Sequence, residues 1–174
     1  MLEPDALGLS RNFADAGQRA ARRQLLATAV GILKQQPNVK VYIDASMWVP
    51  TDEMATLLVD AGVHKADGFS VNVAAFNTLA TSYAFGNAVS AKLGGAHYVV
   101  DSSRNGQGPL GGEWCNPPGR GLGVPPQIPP GQPLVDALLW IKRPGESDGT
   151  CNGGPRAGDF WVEYAQGLVA RATA

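Results

Sequence analysis

Hydrophobic residues recur at helical spacing over residues 11–36, where Leu26, Val30 and Leu33 share one face. Arginines and Lys34 occupy the remaining faces, so this segment is predicted to form one amphipathic helix. The β-branched run at 39–45 then predicts a short buried strand. The same patterns predict helices at 51–62, 77–93 and 158–172, and strands at 68–73, 97–101 and 134–141.

Strands that alternate with helices indicate βαβ units and a parallel sheet, either open or closed into a barrel. The length fits a single domain over residues 1–174. In such folds the functional residues gather at the carboxyl ends of the strands. Asp44 and Asp101 end two predicted strands, and Glu146 and Asp148 follow the last one. These positions predict the rim of an active site.

Charge and composition argue against some classes of partner and some locations. A formal net charge of −1 without a basic run argues against nucleic acid or an anionic membrane surface as a partner. Charged residues throughout residues 1–20 exclude a signal peptide or a membrane span there, so the sequence as written predicts a cytoplasmic or undetermined location.

The two cysteines favour a different compartment. Cys115 and Cys151 lie in Gly- and Pro-rich segments, and such a pair is typical of a disulfide in an exported protein. The bridge would join the two loops that flank the strand at 134–141. The alternative is a pair of unpaired thiols in a cytosolic chain.

Residues 140–149 contain three of the candidate functional residues. Lys142, Glu146 and Asp148 lie within seven positions of a loop that Pro144 and two glycines interrupt, and such a loop can turn several polar groups into one pocket. A charged turn on a solvated surface is the alternative.

The four tryptophans divide by context. Trp48 and Trp114 lie at a strand end or in a polar loop, where an exposed aromatic face suits stacking against a sugar ring; core packing is the alternative. Trp140 and Trp161 lie in apolar patterns and are predicted to be in the core. His64 and His97 have no second ligand at metal-binding spacing, so no metal site is predicted.

Five blocks of the sequence together resemble glycoside hydrolase family 6. They are Glu3-Pro-Asp-Ala-Leu7, Val41-Tyr-Ile-Asp-Ala45, Val100-Asp-Ser-Ser-Arg-Asn-Gly106, Glu113-Trp-Cys-Asn-Pro-Pro-Gly119 and Trp140-Ile-Lys-Arg-Pro-Gly-Glu-Ser-Asp-Gly149. The resemblance implies a distorted parallel α/β barrel and inverting hydrolysis of β-1,4-glucans such as cellulose, without a metal or cofactor.

The resemblance also implies residue roles. Asp148 matches the family's catalytic base, and Lys142 and Glu146 match a pair that binds sugar. Trp48 and Trp114 match tryptophans that stack on sugar rings. The polar cleft residues implied in the same way are Asp44, Asp101 and Arg104.

The sequence departs from the family pattern in three places. The block that carries the family's proton donor precedes the Glu3–Leu7 block and has no counterpart here, so we expect an N-terminally truncated domain with about five of seven barrel strands. The segment Asp44–Trp48 is two residues shorter than in the family and lacks a histidine. Ala75 stands where the family has an asparagine that contacts sugar.

We therefore expect an endoglucanase-like chain that is inactive alone because the acid is missing. The short segment between Asp148 and Trp161 favours the open cleft of an endoglucanase. One alternative is a non-catalytic remnant that binds glucan. Another is half of a split enzyme, complemented by a separate chain with the N-terminal half. The expected ligand is a β-1,4-glucan oligosaccharide or cellulose, and the family is extracellular.

Overall fold

Four short parallel strands form the sheet in the computed structural model, which describes residues 1–173. They are β1 (Tyr42–Asp44), β2 (Gly68–Val71), β3 (Tyr98–Asp101) and β4 (Val135–Leu139). Their order in the sheet is their order along the chain. The predicted parallel α/β sheet is therefore confirmed, and each strand hydrogen-bonds to the next one in sequence.

Five α-helices accompany the sheet. They are α1 (Ala6–Ser10), α2 (Ala16–Leu33), α3 (Thr51–Asp60), α4 (Leu79–Lys92) and α5 (Val162–Ala170). Helix α3 connects β1 to β2 and α4 connects β2 to β3, whereas β3 and β4 are joined by a long segment without an α-helix. Short 3₁₀ turns occur at Val63–Lys65 and Cys151–Gly153.

Several observed elements are shorter than predicted, and at the start of two of them a carboxylate accepts a main-chain amide. Asp15 accepts a hydrogen bond from the Gln18 amide at 2.7 Å, so α2 begins at Ala16 and not at residue 11. In β1, the amide of Val41 donates to the Asp67 carboxylate at 2.8 Å and not to a neighbouring strand. The strand ladder therefore starts at Tyr42.

The core lies between the sheet and its helices. Both β2 and β3 are buried along their whole length, as expected for central strands of a parallel sheet. Phe69 and Tyr98 stack between these strands with ring centroids 5.2 Å apart. Met54 and Leu58 of α3 are fully buried in the same cluster.

The outer edge of β1 carries one additional contact. Leu2 donates to the Tyr42 carbonyl at 2.7 Å and accepts from the Asp44 amide at 3.3 Å, which makes a single parallel bridge to Ile43. Within residues 1–173 the sheet therefore has four strands and this bridge, so the expectation of about five strands was wrong.

Two further predictions concern the loops after β3 and β4. The disulfide between Cys115 and Cys151 is confirmed, with Cα atoms 6.1 Å apart, and it joins these two loops. The prediction that Trp140 and Trp161 belong to the core was wrong, because both are only half-buried. The Trp140 indole donates to the Val124 carbonyl at 3.1 Å, and Trp161 stacks on Tyr164.

At the amino-terminal end of the sheet, Asp136 links β1 to the start of β3. Its carboxylate accepts the Tyr42 hydroxyl at 2.6 Å and contacts His97 Nδ1 at 2.7 Å. The Tyr42 ring passes Gly68, where a Cβ atom would lie 2.0 Å from the His97 carbonyl oxygen. Burial and the hydrogen bond to Asp136 raise the pKa of Tyr42, so its hydroxyl stays a donor.

We expect the substitution Tyr42→Phe to lower the free energy of unfolding by about 1–2 kcal/mol, because a hydrogen bond to a carboxylate is lost. Denaturant titration would measure the change. The matched control is Tyr83→Phe, since the Tyr83 hydroxyl donates no hydrogen bond within the described residues and Tyr83 is also half-buried. Equal losses in the two variants would show that the Tyr42–Asp136 bond contributes nothing specific.

Candidate active site

Asp148 lies at the centre of a cluster of charged groups beyond the carboxyl end of β4. Its Oδ2 accepts from Arg104 Nη1 at 2.8 Å and from the Asn116 amide at 3.1 Å. Its Oδ1 lies 3.3 Å from Lys142 Nζ. The Asp148 side chain is 8% exposed, so two cations stabilise a carboxylate that is largely withdrawn from water.

Arg104 connects this cluster to the loop after β2. Its side chain is fully buried, and its second terminal nitrogen donates to the Ala74 carbonyl oxygen. The guanidinium lies over the Phe76 ring, 4.3 Å from the centroid. These contacts fix the direction in which Arg104 meets Asp148.

Asp101 joins the loops that follow β2, β3 and β4. Its Oδ1 accepts from the Ser103 amide at 2.9 Å, and its Oδ2 accepts from the amides of Ala74 at 2.9 Å and Lys142 at 3.0 Å. The prediction that the strand-end residues share one rim holds for these three loops. Asp101 orders main chain around the cluster and does not contact Asp148 directly.

Glu146 and Lys142 form ion pairs with different residues. It forms an ion pair with Arg143, three residues earlier in the same loop, whereas Lys142 contacts Asp148. The side chains of Lys142 and Glu146 are both 16% exposed. Their joint role in sugar binding stays a prediction.

A pocket of about 310 Å³ lies beside this cluster, at the carboxyl ends of β1 and β2. Its lining includes Asp5, Asp44, Trp48 and Asn77. Asp5 was not among the predicted site residues. Its left-handed backbone, with φ of 63°, directs its amide to Asp44 Oδ2 at 2.9 Å, and this contact spans 39 residues, so no local pattern indicated it.

Asp44 is buried, and no cation within residues 1–173 forms an ion pair with it. Its side chain accepts from the Asp5 amide and, at 3.1 Å, from the Ser46 hydroxyl. Burial raises the pKa of Asp44 to about 7, with a smaller contribution from the negative charges of Asp5 and Asp101, while the two hydrogen bonds act in the opposite direction. Burial also raises the pKa of Asp5. Asp44 is therefore mostly protonated below neutral pH.

The two predicted stacking tryptophans are exposed. Trp48 is 56% exposed at the mouth of the pocket, and Trp114 is 72% exposed next to the disulfide. Large apolar surfaces of this kind are suited to a flat ligand such as a sugar ring. The structure therefore puts Trp114 on the loop that reaches Asp148 through Asn116, and Trp48 on the Asp44 side of the site.

Residues 1–173 lack two features that other functions would need. No group of three or more His, Cys, Asp or Glu side chains in this part of the chain is arranged to hold a metal ion. None of its helices combines the length and the apolar character needed to cross a membrane.

The raised pKa of Asp44 predicts a pH-dependent stability. Between about pH 4 and pH 7 the unfolded chain ionises this carboxyl while the folded protein keeps it protonated, so the free energy of unfolding falls as the pH rises. In Asp44→Asn we expect the free energy of unfolding to fall by a few kcal/mol less across that pH range, because the titrating carboxyl is gone. Denaturant titration at several pH values would measure this. Asp15→Asn, at an exposed helix cap, is the control. An unchanged pH dependence in Asp44→Asn would contradict the assignment.

The chain is similar in sequence to bacterial endoglucanases. It is 41% identical to endoglucanase A of Cellulomonas fimi over 99% of its own length, and 42% identical to endoglucanase 1 of Streptomyces halstedii over 97%. It spans 38% of the first relative and 54% of the second. The matched region is thus one part of each longer protein.

Its fold is also similar to that of a solved endoglucanase. The structure of Cel6 from Mycobacterium tuberculosis, in complex with a methyl-cellobiosyl-thio-cellobioside, superposes with a TM-score of 0.93 and 45% identity, covering 97% of this chain and 59% of that one. Such neighbours are family 6 cellulases with a distorted α/β barrel. Residues 1–172 match the family model for glycosyl hydrolases family 6, and the chain belongs to this family.

Proposed function

We propose that residues 1–174 form the part of an inverting β-1,4-glucan hydrolase that carries the catalytic base and much of the sugar-binding surface. The observation that supports this most is the Asp148 carboxylate, held between Arg104 and Lys142 at the carboxyl edge of the sheet. The similar endoglucanase that binds a cellobioside supports a cello-oligosaccharide or cellulose as the ligand.

Inverting hydrolysis needs two carboxyl groups on opposite sides of the sugar. A base takes a proton from the attacking water, and an acid gives a proton to the leaving oxygen. We assign the base to Asp148, since Arg104 and Lys142 keep a negative carboxylate in a defined orientation. Trp114 and Trp48 would stack on sugar rings, and Lys142 and Glu146 would bind sugar hydroxyls.

We infer that the proton donor comes from polypeptide outside residues 1–174. Asp101 is unsuited to this role because both of its carboxylate oxygens accept main-chain amides. Residues 1–174 would then be one part of a single catalytic domain. The donor could belong to the same polypeptide or to a separate complementing chain.

The exposed apolar surface supports such an added segment. Leu25 and Ile32 are exposed on α2, Phe160 is exposed just before α5, and Val169 is exposed on α5. Leu2 pairs with the free edge of β1 as an added strand would. A polypeptide that extends the sheet from β1 would cover part of this surface.

An open cleft, and hence endoglucanase action, is supported by the segment after Asp148. This segment folds back on itself, because the Ser147 amide donates to the Asp159 carbonyl at 2.9 Å and the Gly158 amide donates to the Ser147 carbonyl at 2.9 Å. It therefore forms a compact turn and not an extended arm that could roof a tunnel. The disulfide supports an oxidising compartment as the place of action.

A second candidate function is glucan binding without hydrolysis. The exposure of Trp48 and Trp114 favours it, since stacking needs no proton donor. Binding and hydrolysis can be separated experimentally by substitutions at the tryptophans and at Asp148.

For binding, we expect Trp114→Ala to weaken the affinity for cellohexaose at least about fivefold, because the stacking surface is lost. Isothermal titration calorimetry would measure this without relying on tryptophan fluorescence. Leu25→Ala, which also removes an exposed apolar side chain, should leave the affinity unchanged. Equal affinities in all three proteins would remove Trp114 from the proposed ligand site.

For hydrolysis, we expect the 174-residue chain alone to release negligible sugar from carboxymethyl-cellulose. Adding the amino-terminal part of a full-length family member should restore turnover, and Asp148→Asn should then reduce it at least about 100-fold. Asp159→Asn, an exposed carboxylate of the same loop, is the matched control.

Reducing-sugar assays would give the rate, and NMR would give the anomeric configuration of the product. Clear turnover with inverted product by the chain alone would contradict an external proton donor. Restored turnover that persists in Asp148→Asn would contradict the assignment of the base.

A further inference from the structure

Asn116 makes contacts with Asp148 from the opposite loop through both its main chain and its side chain. Its amide donates to Asp148 Oδ2 at 3.1 Å, and its side-chain Oδ1 accepts from the Asp148 amide at 2.8 Å. The Asn116 residue is 1% exposed, so water does not compete for these bonds. One buried residue therefore fixes both parts of Asp148: its side chain holds the Asp148 backbone, and its main-chain amide holds the carboxylate.

The side-chain nitrogen of Asn116 donates to other residues of the loop that carries Asp148. Its Nδ2 donates to the Gly149 carbonyl at 2.7 Å and to the Ser147 hydroxyl at 3.1 Å. It also lies 3.3 Å from the Cys151 carbonyl oxygen. Asn116 thus holds residues on both sides of Asp148, and the adjacent disulfide limits the separation of the two loops.

The backbone of Asn116 explains why an asparagine occupies this position. Its φ of 47° lies in the left-handed region, which asparagine, aspartate and glycine tolerate better than other residues. Glycine would offer no side-chain acceptor for the Asp148 amide. Aspartate would offer no donor to the Gly149 carbonyl. Only an asparagine meets both requirements of this site.

The two oxygens of Asp148 are consequently unequal. Oδ2 accepts two hydrogen bonds, from Arg104 and from the Asn116 amide. Oδ1 has Lys142 Nζ as its single partner within residues 1–173, at 3.3 Å. A carboxylate oxygen with one partner retains a lone pair for another donor.

We propose that Asn116 is a positioning residue that presents Asp148 Oδ1 as the proton-accepting oxygen of the base. This inference rests on the proposed function, in which Asp148 receives a proton from water. By holding Oδ2 against Arg104, Asn116 prevents the carboxylate from rotating and exchanging its two oxygens. Loss of its side chain loosens the loop and lets the carboxylate leave both cations.

The structure supplies a matched control in Asn152. This residue also has a left-handed backbone, with φ of 50°, and it is adjacent to the other cysteine of the disulfide. Its Nδ2 donates across to the Cys115 carbonyl at 2.9 Å, but it makes no hydrogen bond to Asp148 within the described residues. Asn152→Gly therefore removes a cross-loop bond without removing a contact to the carboxylate.

The test is hydrogen exchange of the Asp148 amide in the 174-residue chain, measured by NMR. We expect Asn116→Gly to lower the protection of this amide at least about tenfold, because the side-chain oxygen that accepts its hydrogen bond is lost. Asn152→Gly should leave the protection unchanged. Protection that falls no further in Asn116→Gly than in Asn152→Gly would overturn the proposal.

If Asn116→Gly fails to fold, hydrogen exchange of the Asp148 amide in Asn116→Asp decides the question. That variant keeps the acceptor oxygen, so the amide should stay protected; loss of protection would overturn the proposal. Neither measurement uses a substrate, so an effect on the Asp148 loop remains visible even if hydrolysis does not depend on Asp148. In the complemented enzyme, Asn116→Gly should lower kcat about tenfold and change KM less than twofold.

Discussion

The buried ion pair between Arg104 and Asp148 is the interaction on which the rest of the site depends. Withdrawing two charges from water costs several kcal/mol per ion unless further polar contacts compensate. For Arg104 these contacts are the Ala74 carbonyl and the Phe76 ring. For Asp148 they are Lys142 and the Asn116 amide. The pair therefore persists only while the loops after β2, β3 and β4 keep their relative positions.

Asp101 explains how these loops keep their positions. Parallel strands bring their carboxyl ends to one edge of the sheet, and at this edge Asp101 accepts main-chain amides from all three following loops. Since the Lys142 amide is one of these donors, Asp101 also sets where the Lys142 side chain begins. The disulfide adds a covalent limit further out. The charged groups are thus preorganised before any ligand arrives.

The sequence predicted the parts of this arrangement that depend on local pattern. Alternating strands and helices follow from hydrophobic spacing, and Asp44 and Asp101 were recognisable as residues that end strands. The element ends were less accurate because they depend on individual contacts, such as that between Val41 and Asp67. The Arg143–Glu146 ion pair was not predicted. Two cations, Lys142 and Arg143, lie close to Glu146 in the sequence, and the sequence pattern does not indicate which of them forms the ion pair.

The contacts that define the site could not be predicted from the local sequence pattern, for another reason. Asn116 and Asp148 are 32 positions apart, and the contact needs a left-handed backbone that asparagine permits but does not require. The same holds for Asp5, whose amide meets Asp44 only because its own backbone is left-handed. Such contacts depend on the tertiary fold, which brings the two loops together, and no short segment of sequence encodes them.

Asp44 shows that a raised pKa alone does not identify a residue that transfers protons. Asp44 holds a proton up to about pH 7, as a general acid should, but it is 2% exposed and its Oδ2 already accepts two hydrogen bonds. A proton donor must instead contact the leaving oxygen, on the side of the sugar opposite the base. The environment of Asp44 is therefore that of a neutral group that orders the pocket. In the proposed function, the proton donor therefore comes from outside residues 1–174.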